Sequence, residues 1–267
     1  MNAIDGSTVV VTGAGSGLGR ALAAGFADAG ARVVVGDVDE TAVQQTAAHI
    51  RAAGGAAMAL RADAADTDDI GALLTLAAHE FAPVDIYIAN AGVMGAPGLG
   101  EEADWDRIID VNLRAHIRAA RLLIPHWTSR GAGHFVSVAS AAGLLSQIGA
   151  AGYAVTKHAA VGFAEWLAIT YGDAGVGVSC VCPLGVDTPL LDAVRGAEDA
   201  DARRSAASIV GSGTVLSADQ VAAATIDAVR AGRFLVLPHP EVLDMYRGKG
   251  ADYDRWIAGM RRYQRSL

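Results

Sequence analysis

Short apolar runs rich in valine alternate with alanine-rich segments along the chain, and this alternation limits the possible folds more than any other feature. The runs lie at 7–12, 31–37, 56–63, 84–92, 133–140, 176–183 and 232–238. They are nearly continuous rather than alternating with polar residues, as in strands that are buried on both faces. We therefore predict an α/β fold with a doubly wound parallel sheet of about seven strands and helices on both faces.

The segments between these runs predict helices at 17–29, 40–53, 67–81, 104–127 and 152–173, with Asp66 or Thr67 as a cap of the third. Between 188 and 217 the residues are small and polar with weak periodicity, so we predict a long loop. We interpret it as a substrate lid, because it follows the carboxyl end of a strand. Residues 1–267 are expected to form one dinucleotide-binding domain, since no linker or repeat interrupts them.

Charge and composition exclude several classes of function. A net charge of −8 argues against nucleic acid as the main partner. No uncharged apolar run of about 18 residues is present, so no membrane span is expected. The histidines and cysteines show no metal-ligand spacing, and we expect no metal site. The glycine-rich loop begins almost directly after Met1, which leaves no room for a secretory leader and predicts a cytoplasmic protein.

Two further segments give local expectations. Cys180 and Cys182 lie in a predicted strand, where we expect them to point to opposite faces and to form no disulfide. The last stretch alternates basic with apolar residues, which predicts an amphipathic helix with a solvated basic side. Its basic residues are Arg247, Lys249, Arg255, Arg261, Arg262 and Arg265, and its apolar residues are Tyr253, Trp256, Ile257 and Met260.

The segment TGAGSGLG joins the first predicted strand to the first helix. It carries the pattern G-x-x-x-G-x-G at Gly13, Gly17 and Gly19. Glycines permit a tight turn there, and the backbone N–H groups at the start of a helix bind a pyrophosphate. Placed in the first β-α unit, the segment predicts a dinucleotide-binding loop rather than an ordinary turn.

An acidic residue ends the second predicted strand, 18 residues after Gly19. Asp37 can accept hydrogen bonds from the adenosine ribose hydroxyls and would repel a 2′-phosphate. Neither Ser16 nor Val38 is basic, so NAD is preferred over NADP. Asp39 is expected only to cap a helix. Asp63, after the third strand, is either an adenine-side contact or a turn residue.

Tyr153 and Lys157 are four residues apart in GYAVTK, so on a helix they share one face. Alone, such a pair is usually an ordinary surface feature. Here the chain resembles the classical short-chain dehydrogenase/reductase family over nearly its whole length. The resemblance rests on the loop at 13–19, Asp63, Asn90-Ala91-Gly92, Asn112 in DVNL, Ser140, and Tyr153 with Lys157, which follow the family's order.

The resemblance implies a Rossmann-like fold and a catalytic set. Tyr153 would exchange a proton with the substrate. Lys157, together with the positive nicotinamide of NAD⁺, would lower the pKa of Tyr153, and it would also bind the nicotinamide ribose. Ser140 would hydrogen-bond the substrate oxygen, and Asn112 would hold a water that links Lys157 to solvent. Expected cofactor contacts are Gly13, Ser16, Gly17, Leu18, Gly19, Asp37, Asp63, Ala64, Asn90, Gly92, Tyr153, Lys157, Pro183, Val186 and Thr188.

The chain departs from the family at two places. Leu184 follows Pro183 where a glycine is common, which puts the shape of that loop in doubt and adds an apolar wall to the substrate pocket. Ala89 precedes Asn90 where a first asparagine is often present, with little expected consequence. The expected substrate wall is mainly apolar and includes Met94, Leu144, Gln147 and Leu184, with Leu145 and Ile148 beside them.

These features predict an NAD(H)-dependent oxidoreductase that interconverts a secondary alcohol and a ketone, with a neutral, hydrophobic small molecule as substrate. One alternative is a 3-oxoacyl thioester reductase of the same fold. Another is a catalytically silent NAD-binding regulatory protein. Trp127, Phe163 and Trp166 on the helices at 104–127 and 152–173 suggest packing between subunits. The resemblance implies a homotetramer, with a dimer as the alternative.

Overall fold

Seven parallel strands form the central sheet of the computed structural model, which describes residues 4–267. The strands are β1 Thr8–Thr12, β2 Arg32–Asp37, β3 Ala56–Arg61, β4 Ile86–Ala89, β5 Gly133–Val138, β6 Val176–Val181 and β9 Leu235–Val236, while β7 Val186–Asp187 and β8 Leu216–Ser217 pair separately. The order in the sheet is β3-β2-β1-β4-β5-β6-β9. The predicted doubly wound parallel sheet is confirmed.

Eleven α-helices lie in the described part of the chain. They are α1 Gly17–Asp28, α2 Glu40–Ala52, α3 Thr67–Glu80, α4 Glu102–Ile109, α5 Ala115–Arg130, α6 Ala151–Tyr171, α7 Pro189–Arg195, α8 Ala200–Gly211, α9 Ala218–Ala231, α10 Glu241–Ala251 and α11 Tyr253–Ser266. Asp66 caps α3 and Asp39 caps α2 through their carboxylates, as expected. Both caps satisfy backbone N–H groups that a helix start leaves unpaired.

Each face of the sheet is covered by helices. On one face, α1, α2 and α9 pack over β-strand side chains such as Val9 and Val33. On the other, α3, α5 and α6 pack over Val10 and Val34. Because neighbouring residues of a strand point to opposite faces, strands covered twice must be mainly apolar on both faces. The near-continuous valine runs meet this requirement.

The helix expected at 104–127 is interrupted. A π-helical turn at Asp110–Arg114 separates α4 from α5. The turn contains Asn112, whose Oδ1 accepts from the Val93 N–H at 2.9 Å and whose Nδ2 donates to the Val93 carbonyl at 2.9 Å. The extra residue of a π-turn is consistent with this inward position of the Asn112 side chain, and such turns often occur at functional sites.

The prediction that Trp127 packs against another subunit is wrong, because its side chain is fully buried. Its indole Nε1 donates to the Val84 carbonyl at 2.8 Å. The ring lies against Gly133, where an added Cβ would overlap the indole. Gly133, 6 positions after Trp127, has no side chain and therefore leaves the space that the indole ring fills.

The loop expected at 188–217 is largely helical, as α7 and α8. Pro189 occupies the first turn of α7, and the Asp199 carboxylate caps α8 by accepting from the Asp201 and Ala202 N–H groups. Val194, Ala202 and Ala206 form a small apolar cluster between the two helices. The buried side of α8 consists of alanine and serine, which differ little in hydrophobicity from its exposed side. The sequence therefore shows no clear helical period there.

The expectation for Cys180 and Cys182 is wrong in its geometry, because alternate residues of a strand share a face. Their sulfur atoms lie 3.8 Å apart, and both thiols are free and buried. Within residues 4–267, no helix combines the length and the apolar character needed to cross a membrane.

Candidate active site

A cavity of about 570 Å³ lies at the carboxyl edge of the sheet, beside the point where the strand order reverses between β1 and β4. Ligands of doubly wound folds bind in this crevice. The predicted residues that line it are Gly13, Ser16, Gly17, Leu18, Gly19, Asp37, Met94, Asn90, Gly92, Ser140, Gln147, Tyr153, Lys157, Pro183, Leu184, Val186 and Thr188. The fold therefore brings together most residues that the sequence singled out.

The glycine loop needs glycine at each of the three positions of its pattern. Gly13 and Gly17 have φ of 64° and 48°, which glycine adopts without strain. An added Cβ on Gly13 would lie 2.7 Å from the Ala91 Cα, and one on Gly19 would overlap the Gly13 carbonyl oxygen. The loop therefore brings the first turn of α1 against β1, so that the helix start opens onto the cavity.

Asp37 is held at the end of β2, beside the glycine loop. Its Oδ2 accepts from the Gly15 N–H at 2.8 Å, and its Oδ1 accepts from the Asp39 N–H at 3.0 Å. Val38 is 57% exposed. Arg20 reaches the same loop but donates to the Gly15 carbonyl and to Thr46 Oγ1. The carboxylate thus presents negative charge at the rim of the cavity, with Arg20 engaged elsewhere.

Asn90 holds two segments of the site together. Its Nδ2 donates to the carbonyls of Thr12 and Gly13, at 2.9 and 3.0 Å. Asp63 and Ala64 do not line the cavity. Asp63 Oδ1 accepts from the Ala65 N–H at 2.9 Å, which is the geometry of the turn residue that the sequence left as its alternative.

Tyr153 and Lys157 lie on one face of α6, and both are buried. The Lys157 Nζ is 5.7 Å from the centroid of the Tyr153 ring and donates to the Val138 carbonyl at 2.9 Å. Ser140 follows β5, accepts from the Ala142 N–H at 3.1 Å, and hydrogen-bonds the Tyr153 phenol. A serine hydroxyl, a phenol and an ammonium therefore meet in one pocket.

The surroundings of the phenol raise its pKa rather than lower it. Burial raises the pKa of Tyr153, and the hydrogen bond from Ser140 opposes that shift. Burial lowers the pKa of Lys157 from 10.5 to about 8. The expected lowering of the Tyr153 pKa is not met by these side chains alone, because desolvation of the phenolate outweighs the hydrogen bond from Ser140.

Asn112 lies behind Lys157 rather than in the cavity wall. Besides its two bonds to Val93, its Nδ2 donates to Thr156 Oγ1 at 3.2 Å. A Cβ on Gly92 would lie 3.3 Å from Asn112 Oδ1 and 3.5 Å from Lys157 Nζ. Asn112 therefore joins the backbone after β4 to α6, close to the ammonium.

The substrate end of the cavity has a partly different wall from the expected one. The prediction that Leu144 lines the substrate pocket is wrong, because this residue is 3% exposed and packs in the hydrophobic core beside the sheet. Leu145, Ile148 and Leu184 do line the cavity. The Leu184 N–H donates to His239 Nδ1 at 3.1 Å, and His239 Nε2 lies 2.9 Å from the Thr214 carbonyl. A buried histidine thus fixes the loop that departs from the family pattern.

The C-terminal helices close the cavity, which the sequence did not predict. Four of their side chains line it: Met245, Trp256, Met260 and Tyr263. The sequence predicted that this helix has an apolar side, but it did not predict that this side would cover the cavity. The prediction that Lys249 is solvated is wrong, since the residue is 6% exposed and its Nζ donates to the Leu144 carbonyl at 2.7 Å. This bond fastens α10 to the segment after Ser140.

Known proteins resemble the chain in sequence and in fold. The family model described as short chain dehydrogenase matches residues 7–199. The 1-deoxy-11-beta-hydroxypentalenate dehydrogenase of Streptomyces exfoliatus is 34% identical over 93% of this chain and 89% of its own length. The cyclohexanol dehydrogenase of Acinetobacter sp. (strain SE19) is 34% identical over 74% of this chain and 80% of its own. The crystal structure of a short chain dehydrogenase/reductase from Burkholderia phymatum in complex with NAD superimposes with a TM-score of 0.85, at 35% identity and 95% and 96% coverage.

Proposed function

The chain belongs to the short chain dehydrogenase family, and we propose that it is an NAD(H)-dependent oxidoreductase interconverting a secondary alcohol and a ketone. The observation that carries this proposal is the cavity that the glycine loop shares with Ser140, Tyr153 and Lys157. The relatives named as dehydrogenases of cyclohexanol and of a hydroxypentalenate support it.

The residues present suit a nicotinamide dinucleotide. The glycine loop lines the cavity, and its backbone lies at the start of α1, where a pyrophosphate binds favourably. Val186 and Thr188 also line the cavity and would contact the nicotinamide carboxamide. When bound, the dinucleotide supplies the acceptor or donor of the hydride.

The proton is handled by the side chains of the cavity. In alcohol oxidation, Tyr153 as phenolate takes the hydroxyl proton while the carbon loses a hydride. In ketone reduction, the phenol donates that proton to the carbonyl oxygen. Ser140 donates a hydrogen bond to the same oxygen and holds it near the phenol. With the cofactor bound, the Lys157 ammonium and the positive nicotinamide would together favour the phenolate form, against the burial that raises the pKa of Tyr153. Asn112 lies close to the ammonium and would hold the surrounding backbone in place.

Asp37 is the basis for preferring NAD over NADP. Its carboxylate at the rim of the cavity would accept from ribose hydroxyls and repel a 2′-phosphate. We expect Asp37→Ser with Val38→Arg to raise kcat/KM for NADP and to lower it for NAD. Asp39→Ser, which removes a neighbouring carboxylate but keeps a side chain that can cap α2, is the matched control. Equal use of both cofactors by the wild type would refute the preference.

Oxidation of alcohols can be followed by absorbance at 340 nm with NAD⁺ and a panel of neutral secondary alcohols. We expect a signal that Tyr153→Phe abolishes and that Tyr171→Phe, on the same helix, retains. Absence of turnover with intact NADH binding would favour a silent regulatory protein. Turnover of acyl thioesters alone would favour the oxoacyl reductase. The apolar wall formed by Leu145, Leu184 and Trp256 supports the neutral hydrophobic substrate.

The remaining expectations concern the protein as a whole. We propose that the segment 188–217 is the substrate lid, since α7 and α8 both contribute to the cavity wall. A homotetramer is supported by exposed apolar side chains on α6, with Trp166 52% exposed and Ile169 83% exposed. Sedimentation of a 27.2 kDa species would refute it. The two free thiols support a reducing, cytoplasmic location, which cell fractionation can check.

A further inference from the structure

Gln147 is a polar residue in the mainly apolar substrate end of the cavity. It lies between Ser140 and α6, and it lines the same cavity as Tyr153. A second, adjoining cavity also borders it. The residue before it, Ser146, has φ of 123°, the only positive value for a non-glycine residue within 4–267. A backbone held in this unfavourable region is often found at a ligand site.

The lid fixes the orientation of the Gln147 carboxamide. Its Nε2 donates to the Ile148 carbonyl at 3.1 Å and to Ser208 Oγ at 2.9 Å. A carbonyl oxygen can only accept, and Ser208 already donates its own hydrogen to the Ser205 carbonyl at 2.8 Å. Both partners therefore require the nitrogen of the amide to face them. Since Ser205 and Ser208 are 1% and 5% exposed, this arrangement is held from inside α8.

The amide oxygen is left for a ligand. Gln147 Oε1 accepts no hydrogen bond from residues 4–267, and it is not among the fully buried atoms without a partner. An acceptor that a ligand covers without offering a donor loses its hydrogen bonds to water, which lowers affinity. A substrate hydroxyl meets this requirement, whereas an ether or a second carbonyl does not.

We propose that Gln147 Oε1 accepts a hydrogen bond from a second hydroxyl of the substrate, so that the enzyme prefers diols and hydroxyketones on an apolar carbon frame. This inference rests on the proposed function. Tyr153 acts on one hydroxyl, and Gln147 distinguishes substrates by the other. Its role is specificity, because a hydrogen bond that one substrate can make and its analogue cannot is a strong discriminator.

Matched substrates test the inference on the wild-type protein. Cyclohexane-1,2-, 1,3- and 1,4-diol are compared with their mono-O-methyl ethers, which keep the oxygen but lack the donor, and with cyclohexanol. We expect kcat/KM for at least one diol to exceed that for its ether by about tenfold, the effect of one hydrogen bond. Ratios near one for all three pairs overturn the inference. If no alcohol is oxidised at all, the proposed function has failed instead.

Two variants separate the amide oxygen from the amide nitrogen. Gln147→Met keeps the length of the side chain but lacks the acceptor, and we expect the diol-to-ether ratio to fall to about one. Ser208→Ala removes one partner of Nε2, while the Ile148 carbonyl and Ser205 Oγ, each at 3.1 Å, still hold the amide nitrogen. We therefore expect it to change diol and ether turnover by the same factor. An equal loss for all substrates in Gln147→Met would show a lid anchor and overturn the inference. If that variant does not fold, the wild-type ratios decide.

Discussion

Replacing Lys157 by methionine is expected to stabilise the cofactor-free protein at neutral pH while it removes the proposed activity. Lys157 is 3% exposed, and its ammonium has only the Val138 carbonyl as a hydrogen-bond partner within residues 4–267. Burial lowers its pKa from 10.5 to about 8. At pH 7 the folded protein therefore carries a charge that its surroundings disfavour, as expected where function rather than stability requires a group.

The magnitude follows from the pKa difference. A change from 10.5 to about 8 corresponds to about 3 kcal/mol of unfolding free energy, at about 1.4 kcal/mol per unit. Loss of the bond to the Val138 carbonyl offsets about 1 kcal/mol of this. The net gain of about 2 kcal/mol corresponds to a rise in Tm of about 4–8 °C in a chain of this size.

The pH dependence gives the prediction its sharpest test. Because the folded protein binds this proton less tightly than the unfolded chain does, wild-type stability rises relative to the variant between pH 8 and 10.5. The advantage of Lys157→Met in urea unfolding is therefore expected at pH 7 and absent above pH 10. A variant that is less stable at pH 7, or more stable by the same amount at every pH, would refute the reasoning.

Lys249 supplies the control for this experiment. It is also buried, but its Nζ donates to the Leu144 carbonyl and lies 3.3 Å from His158 Nε2. Lys249→Met removes these links between α10 and the rest of the protein, so we expect it to lower the Tm. If Lys157→Met raises the Tm and Lys249→Met lowers it, then Lys157 is a buried charge that destabilises the fold, whereas Lys249 makes contacts that stabilise it.

Three further substitutions test the site and the fold. Gly19→Ala, whose Cβ would overlap the glycine loop, is expected to weaken NADH binding at least tenfold in a fluorescence titration, whereas Gly71→Ala, with nothing within 4 Å, leaves it unchanged. Gly133→Ala drives a methyl group into the buried Trp127 ring, and a loss of about 3 kcal/mol is expected in urea unfolding. Trp256→Ala is expected to lower kcat/KM for large alicyclic alcohols about tenfold and to spare small ones, since it removes part of the cavity wall.

Much of the site could be predicted because it depends on local sequence. The glycine loop follows β1, Asp37 ends β2 and Ser140 comes after β5, and parallel strands end at one edge of a sheet. Tyr153 and Lys157 share a face because four residues make about one helical turn. Strand periodicity and turn chemistry are properties of neighbouring residues, so the sequence carried them directly.

The tertiary structure decided which apolar and charged surfaces are covered. Trp127 is buried because Gly133 leaves space for its ring, and Lys249 is buried because it reaches the Leu144 carbonyl, 105 positions away. Trp256 closes the cavity only once the C-terminal helices lie over it. The sequence by itself determined the sheet and the edge at which the candidate site lies. Contacts between distant segments determined the rest of the cavity wall, because burial depends on residues that no local pattern connects.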